Sequence, residues 1–299
     1  MPRREIDFLG HKGIFLIISI VLVLVAVGSL AVRGLSFGIE FKGGTVINVA
    51  GAAGVTIDEV REAFANAGAV GAVVQSAENG GYIIRTTEAD ADVANRVFQQ
   101  VVAEIGLSAD SGEISTIGPG WGRNVTRAAL LALGVSILAI LFYISLRYEY
   151  KMSLIAVATL AHDVLIVLGI YALMGREVSP YTIAALLTIM GYSLYDTIVV
   201  FHRIKENTQG LTRSTFTRMA NHSLNQVFVR SINTSITSVM PPLMLLLFGG
   251  DTLGDFAFAL VIGILVGAYS SIGVATPLYT KWKEREPKFQ ALAKKYGTA

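Results

Sequence analysis

The stretch GYSLYDTIVVFHR, residues 191–203, is apolar enough for the interior of a bilayer, yet it carries an aspartate at position 196. A carboxylate at the centre of a membrane helix costs roughly 2.5–3.5 kcal/mol on insertion scales. The segments on either side decide whether this is a span. Six apolar runs come close to the ~20 residues that cross ~30 Å of hydrocarbon: 14–32, 125–146, 152–174, 181–201, 229–248 and 253–279. Composition agrees. Of 299 residues, 53% are hydrophobic and 15% charged, against about 25% charged in soluble domains, and the mean hydropathy is +0.58. A net charge of +2 is too small for a nucleic-acid surface. With no cysteine, disulfides, thiol nucleophiles, cysteine zinc sites and iron–sulfur clusters are excluded.

Basic residues mark one face of the membrane. Arg3, Arg4 and Lys12 precede the first run, and Arg147 and Lys151 separate the second from the third. Arg203, Lys205, Arg213 and Arg218 follow the fourth, and Lys281, Lys283, Arg285 and Lys288 follow the sixth. If all face the cytoplasm, six spans alternate without conflict, with both termini inside. The expected organisation is a cytoplasmic N-terminus (1–13), a first transmembrane helix (14–32), an extracytoplasmic domain (33–122), a five-helix transmembrane domain (123–280) and a cytoplasmic tail (281–299). Ser29-Leu30-Ala31 has the form of a signal-peptidase site, but the apolar run before it exceeds the usual 7–15 residues, so an uncleaved anchor is expected.

The polar insert reads β-α-β-β-α-β. FGIEFKGGTVINV reads as a strand interrupted at glycine, and TIDEVREAFANAG as a helix opened by Thr56 and closed by Gly68. GAVVQSAENGGYIIRTT reads as a hairpin around Asn79-Gly80-Gly81. ADVANRVFQQVVAEIG is a second helix with Val93, Val97, Val101 and Ile105 at helical spacing, and EISTIG a last strand. This order is that of the split, ferredoxin-like α+β arrangement. Gly38, Gly43, Gly44 and Thr45 nearly spell a phosphate-binding loop, but glycine stands where the lysine belongs, so a bend is expected and no nucleotide.

Asp196 lies seven residues before Arg203, roughly 10 Å from the membrane boundary at ~1.5 Å per residue. Thr188 and Tyr192 share its helix face and Ser193 lies beside them, a stripe suited to protein or trapped water. In the next-to-last span Arg230, Asn233, Thr234, Thr237 and Pro241 form a second polar stripe. Arg230 sits at a depth comparable with Asp196, which allows an ion pair; the alternative is a snorkelling anchor. Pro241-Pro242 is expected to break or kink that helix. Asp163 follows His162 near mid-membrane, a second candidate proton carrier, and Gly263 and Gly267 suggest a close helix contact.

Two chemistries are open on these residues. Asp196 gains and loses protons and biases helix packing, drawing on about 2.3 kcal/mol per charge per 100 mV. Alternatively, Asp196 and Asp163 form an intramembrane aspartyl protease, but Asp163 lacks the Gly-x-Gly-Asp context of the second motif, and no His-Glu-x-x-His supports a metalloprotease.

FGIEFKGGT after the first span, HDVLIVLG in the third, GYSLYDTIVVFHRIKEN in the fourth and RSINTSITS in the fifth together resemble the SecD/SecF family of bacterial protein-export membrane proteins. That family lies in the proton-driven resistance-nodulation-division superfamily. The resemblance implies a bacterial inner-membrane protein that pairs with SecD, associates with the SecYEG translocon and uses the proton gradient to pull preproteins outward. It implies no cofactor beyond that gradient, with H⁺ or Na⁺ left open, membrane lipid as surroundings, and neither nucleotide nor nucleic acid as partner. It further implies proton-transport roles for Asp196 and Arg230, and places Asp163 in the family's His-Asp-Val segment. Two positions depart from the family pattern. Tyr195 replaces the usual asparagine before the aspartate, and His202 replaces an aspartate before the arginine. His202 is thereby an imidazole at the expected cytoplasmic mouth of a proton path. The other reading within the superfamily is a proton-driven lipid or small-molecule exporter.

Overall fold

The computed structural model describes residues 5–50, 55–69, 71–76, 80–88, 90–106, 113–249 and 251–297. Six helical stretches in it are long and apolar enough to cross a membrane. They comprise α1 (Lys12–Arg33), then, after the insert, α5 (Pro119–Arg147), α6 (Tyr150–Met174), α7 (Pro180–Gln209) and α8 (Phe216–Phe248), and last α9 (Asp251–Ser270), which continues through a π-helical turn, Ser271–Ala275, into α10 (Thr276–Lys283). A further helix, α11 (Pro287–Tyr296), follows. All six expected spans are therefore helices.

Two helices run well past their apolar segments. α7 extends to Gln209 and α8 begins at Phe216, thirteen residues before the expected start at 229. Hydropathy is blind to this hairpin because the extension is amphipathic. Phe216, Met219, Ala220, Ser223 and Leu224 are buried while polar residues lie between them, and Thr215 caps the start by accepting from the Arg218 N–H at 3.1 Å. Of the break or kink expected at Pro241-Pro242, the break does not occur, since α8 is continuous through both prolines. Membrane helices tolerate proline where neighbours satisfy the freed carbonyls.

Both ends of the chain pack against this hairpin. Asn221 and Asn225 of α8 clamp the backbone of Ile6, and Asn221 also accepts from Leu9 N–H. Phe289 of α11 is buried against Phe216, ring centroids 4.7 Å apart. Phe8 and Leu9 of the N-terminal segment and Phe289 of the C-terminal one are thus part of the core cluster around Phe201, Phe216 and Tyr279.

Between α1 and α5 the chain builds β1 (Ser36–Phe37), α2 (Ile39–Lys42), β2 (Gly44–Val49), α3 (Ile57–Asn66), β3 (Val73–Ser76), β4 (Tyr82–Thr86), α4 (Ala91–Ile105) and β5 (Glu113–Ile117). Strands β2 to β5 form one antiparallel sheet in the order β3-β4-β2-β5. Its core is Ile47, Phe64, Ile84, Phe98 and Val101, covered by α3 and α4. Thr56 opens α3, as the sequence leads one to expect, and it and Glu59 cap the helix reciprocally. The β3–β4 hairpin is present, while its expected tip residue Asn79 lies outside the described residues.

The FGIEFKGGT segment is not the interrupted strand that the sequence suggests. It folds as β1, one helical turn and β2, joined by Gly43 at φ 79° and Gly44 at φ 133°. A Cβ on Gly44 would stand 2.4 Å from the Thr86 carbonyl oxygen, so the second glycine lets β2 approach β4. The near-match to a phosphate loop is this bend.

Three contacts tie the insert, and Arg33 at the end of α1, to α6 and the connection that follows it. Strand β1 pairs in parallel with β6 (Glu177–Val178), in the connection between α6 and α7. Arg85 of β4 bridges to Glu177 at 2.7 Å, and Arg33 donates to the Leu173 carbonyl at 2.6 Å. Burial pushes the Glu177 carboxyl above its ordinary range, Arg85 opposing this and the Glu40 and Asp255 charges adding to it.

Candidate functional site

The site is positioned by small residues. A Cβ on Gly263 would meet the Ile189 side chain at 2.3 Å, and one on Gly267 would meet Ser193 Cβ at 2.9 Å. The two glycines therefore bring α9 against α7, the close contact their spacing suggests. That approach delivers Ser270 and Ser271, at the end of α9 and the start of the π turn, to the polar face of α7. π turns rearrange the local backbone and are frequent at functional sites.

Asp163 is completely buried. Its Oδ2 accepts from Ser193 Oγ at 2.6 Å and Ser270 Oγ at 2.8 Å, and its Oδ1 from His162 Nδ1 at 2.9 Å. One carboxylate thus joins α6, α7 and α9. Beside it, Thr197 and Ser271 share a hydroxyl–hydroxyl bond of 2.8 Å, and Ser271 also donates to the Gly267 carbonyl. The buried Nε2 of His162 and the Thr159 hydroxyl, one helical turn apart, have no hydrogen-bond partner among the described residues.

Asp196 is 1% exposed and sits one turn along α7 from Ser193. Ser235 of α8 donates to its Oδ2 at 3.3 Å, and the buried Ser231 hydroxyl stands on the same face. No cation lies within salt-bridge distance of this carboxylate among the described residues. The Asp196–Arg230 pair that the sequence allows is not formed: Arg230 Nη2 donates to the Tyr195 hydroxyl at 3.0 Å instead. The reason is helical geometry. Adjacent residues lie about 100° apart around a helix, so with Ser231 and Ser235 turned inward, Arg230 turns outward.

The second stripe is consequently relocated. Arg230, Asn233 and Thr237 are exposed and Thr234 half-buried, while the face of α8 packed inward is Ser231, Ser235 and Pro242. On α7, Thr188 is exposed and donates to its own helix at Ala184, so it does not join Asp196. The Tyr192 hydroxyl is buried and without a partner among the described residues. Ser193, placed beside Asp196 by the sequence, bonds Asp163. Sequence reasoning missed Ser231, Ser235, Thr197, Ser270 and Ser271. A serine repeat at 231 and 235, one residue from the stripe that starts at Arg230, and the Ser-Ser pair following Gly267 were the available signals.

His202 is exposed and lies edge-on to Tyr148, centroids 6.5 Å apart. Among the described residues no three His, Asp or Glu side chains converge as a metal site.

Residues 97–285 match the family model of the C-terminal region of the protein-export membrane proteins SecD/SecF, and residues 28–50 match the SecD/SecF GG motif. The chain is 37% identical to the protein translocase subunit SecF of Streptomyces coelicolor, over 97% of this chain and 80% of the relative. It is 35% identical to that of Petrotoga mobilis, over 97% and 99%, and 34% identical to the protein translocase subunit SecDF of Thermus thermophilus, over 95% of this chain and 40% of the relative. The crystal structure of SecDF from Thermus, titled a translocon-associated membrane protein, superposes with a TM-score of 0.86 at 33% identity, covering 95% of this chain and 39% of that one. SecDF in its super-membrane-facing form gives 0.68 at the same identity.

Proposed function

The chain belongs to the SecF family, whose members are accessory subunits of the protein-export machinery, and from that premise we propose that Asp196 carries the protons that drive its work. Export is coupled to the proton motive force through this residue. The observation that carries the reading is a carboxyl group 1% exposed in the helix core, reached by a serine hydroxyl and, among the described residues, by no cation within salt-bridge distance. Charging such a group without a partner is expensive. Uptake and release of one proton therefore changes the energy of the α7–α8 packing, and a gradient that supplies about 2.3 kcal/mol per charge per 100 mV is enough to bias it.

Arg230 acts from the outer face rather than as a fixed counter-ion. With Tyr195, Asn233, Thr234, Thr237 and Thr188 it forms a polar strip on the outside of α7 and α8, which lipid would not tolerate. The strip is the face that meets SecD. The relative named SecDF is one chain of which this one covers 40%, which supports that pairing. Asp163, with three donors on its carboxylate, is a relay or a structural clasp between α6, α7 and α9.

The multi-pass chain sits in the bacterial inner membrane, both termini cytoplasmic and the insert outside. The insert, with its βαββαβ order and strand order β3-β4-β2-β5, is ferredoxin-like. It moves with the protonation state of the helices and acts on preprotein emerging from SecYEG. The test is translocation of a preprotein into inverted membrane vesicles carrying Asp196→Asn. Loss of the gradient-dependent part with SecD still co-purifying supports the reading, and full gradient-dependent export refutes it.

A further inference from the structure

A cleft of about 250 Å³ opens at the membrane boundary where α5 ends and α7 leaves the apolar zone, lined by Arg147, Tyr148, His202, Lys205, Glu206 and Gln209. Its charges are unbalanced. Glu206 is already neutralised by Arg203, at 2.6 Å. Lys205 Nζ donates to the Arg147 backbone carbonyl at 2.9 Å and lies 5.2 Å from the Tyr148 ring centroid, and no carboxylate among the described residues reaches it. The Arg147 guanidinium has no carboxylate partner among the described residues either. Two cations without a carboxylate partner among the described residues and the exposed ring of His202, a further donor, thus line one concavity whose one carboxylate, Glu206, is paired with Arg203.

The walls identify the kind of anion. The final turns of α5 expose Leu138, Phe142 and Leu146, at 66%, 67% and 72%, with Tyr143 at 58%. The basic cleft therefore continues directly into an apolar outer surface, with tyrosines at the level where headgroups lie. Its volume is below the ~300–1,000 Å³ of pockets that enclose whole small molecules, and suits a headgroup whose remainder lies outside. Basic pockets between membrane helices on the side that carries positive loops bind anionic headgroups.

We propose that this cleft is a binding site for the phosphate headgroup of an anionic phospholipid. Arg147 and Lys205 hold the phosphate, His202 donates a further hydrogen bond, and the acyl chains lie along α5. The lipid pins the end of α5 to α7, the helix that carries Asp196.

The test is a native-mass-spectrometry titration of the delipidated full chain in detergent with dioleoyl phosphatidylglycerol, dioleoyl phosphatidylcholine and inorganic phosphate. The site predicts one tight phosphatidylglycerol adduct, with phosphatidylcholine and phosphate far weaker. Each basic group near an anionic lipid is worth roughly fivefold in affinity, so the Arg147→Gln/Lys205→Gln double variant should bind about 25-fold more weakly. Lys281→Gln/Lys294→Gln removes the same charge from exposed positions elsewhere and should leave the affinity unchanged. His202→Ala, a single exposed change that removes the donor, should weaken binding severalfold, which keeps a readout if the double variant folds poorly. Equal weakening in both double variants would reduce the effect to general charge attraction and overturn the site. Equal affinity for phosphatidylcholine would do the same, and equal affinity for inorganic phosphate would make it a free-anion site.

Discussion

Replacing Asp163 with alanine separates a structural clasp from a dispensable relay. The side chain accepts three hydrogen bonds in a fully buried position. Ser270 Oγ retains the Gly267 carbonyl as an alternative acceptor at 3.2 Å, so it is not stranded. Ser193 Oγ and the His162 N–H each lose an acceptor, and the far nitrogen of His162 is already without a partner. An unsatisfied buried donor costs about 1–3 kcal/mol, so two give about 2–6 kcal/mol. Breaking a buried charged cluster by removing one member costs about 3–5 kcal/mol by an independent route. Asp163→Ala should therefore lower stability by about 4 kcal/mol, which for a unit of this size is roughly 8–16 °C in Tm. Asp163→Asn keeps the volume and one acceptor oxygen and should lose less than half as much. Thermal unfolding in one detergent, followed by the loss of monodisperse protein, reads both. A wild-type unfolding temperature for Asp163→Ala would refute the claim that this carboxylate holds α6, α7 and α9 together.

Other outcomes follow from the same packing. Gly267→Ala drives a methyl to 2.9 Å from Ser193 Cβ and 3.2 Å from its Cα. This pushes α9 from α7 at a cost of about 1–3 kcal/mol, visible in the same melting assay. At the basic end, burial works to raise the Glu286 carboxyl, but Lys151 at 2.7 Å and Lys283 at 2.9 Å overcome it and hold the group below its ordinary value of 4.5. A lowered carboxylate contributes stability that is present above the unfolded value and lost as pH falls through the folded one. The melting temperature should thus drop on acidification below about pH 4.5, and Glu286→Gln should flatten that part of the profile.

The six spans were legible because twenty apolar residues in a row have few other uses, and the insert because its capping residues and glycines mark each turn. The amphipathic start of α8 was not, since Arg218, Asn221, His222 and Asn225 lower the hydropathy of a segment whose other face is core. The pairing of β1 with β6 involves two residues on each side, too short for any periodic signal. At the site, the two aspartates stood out for their cost. Their partners did not, because serine in a membrane helix reads equally as close packing or as a hydrogen-bond donor. The face of α8 was misjudged by one residue: Arg230 drew the stripe to itself, and the helix turns Ser231 inward.

The central claim is that a proton on Asp196 couples the gradient to export. The direct measurement is proton uptake by liposomes containing the complex of this chain with its SecD partner, followed with an entrapped pH-sensitive dye after a pH gradient is imposed. The account predicts flux with the wild-type chain and none above empty liposomes with Asp196→Asn, the complex remaining assembled. Undiminished flux through the Asp196→Asn complex would contradict it.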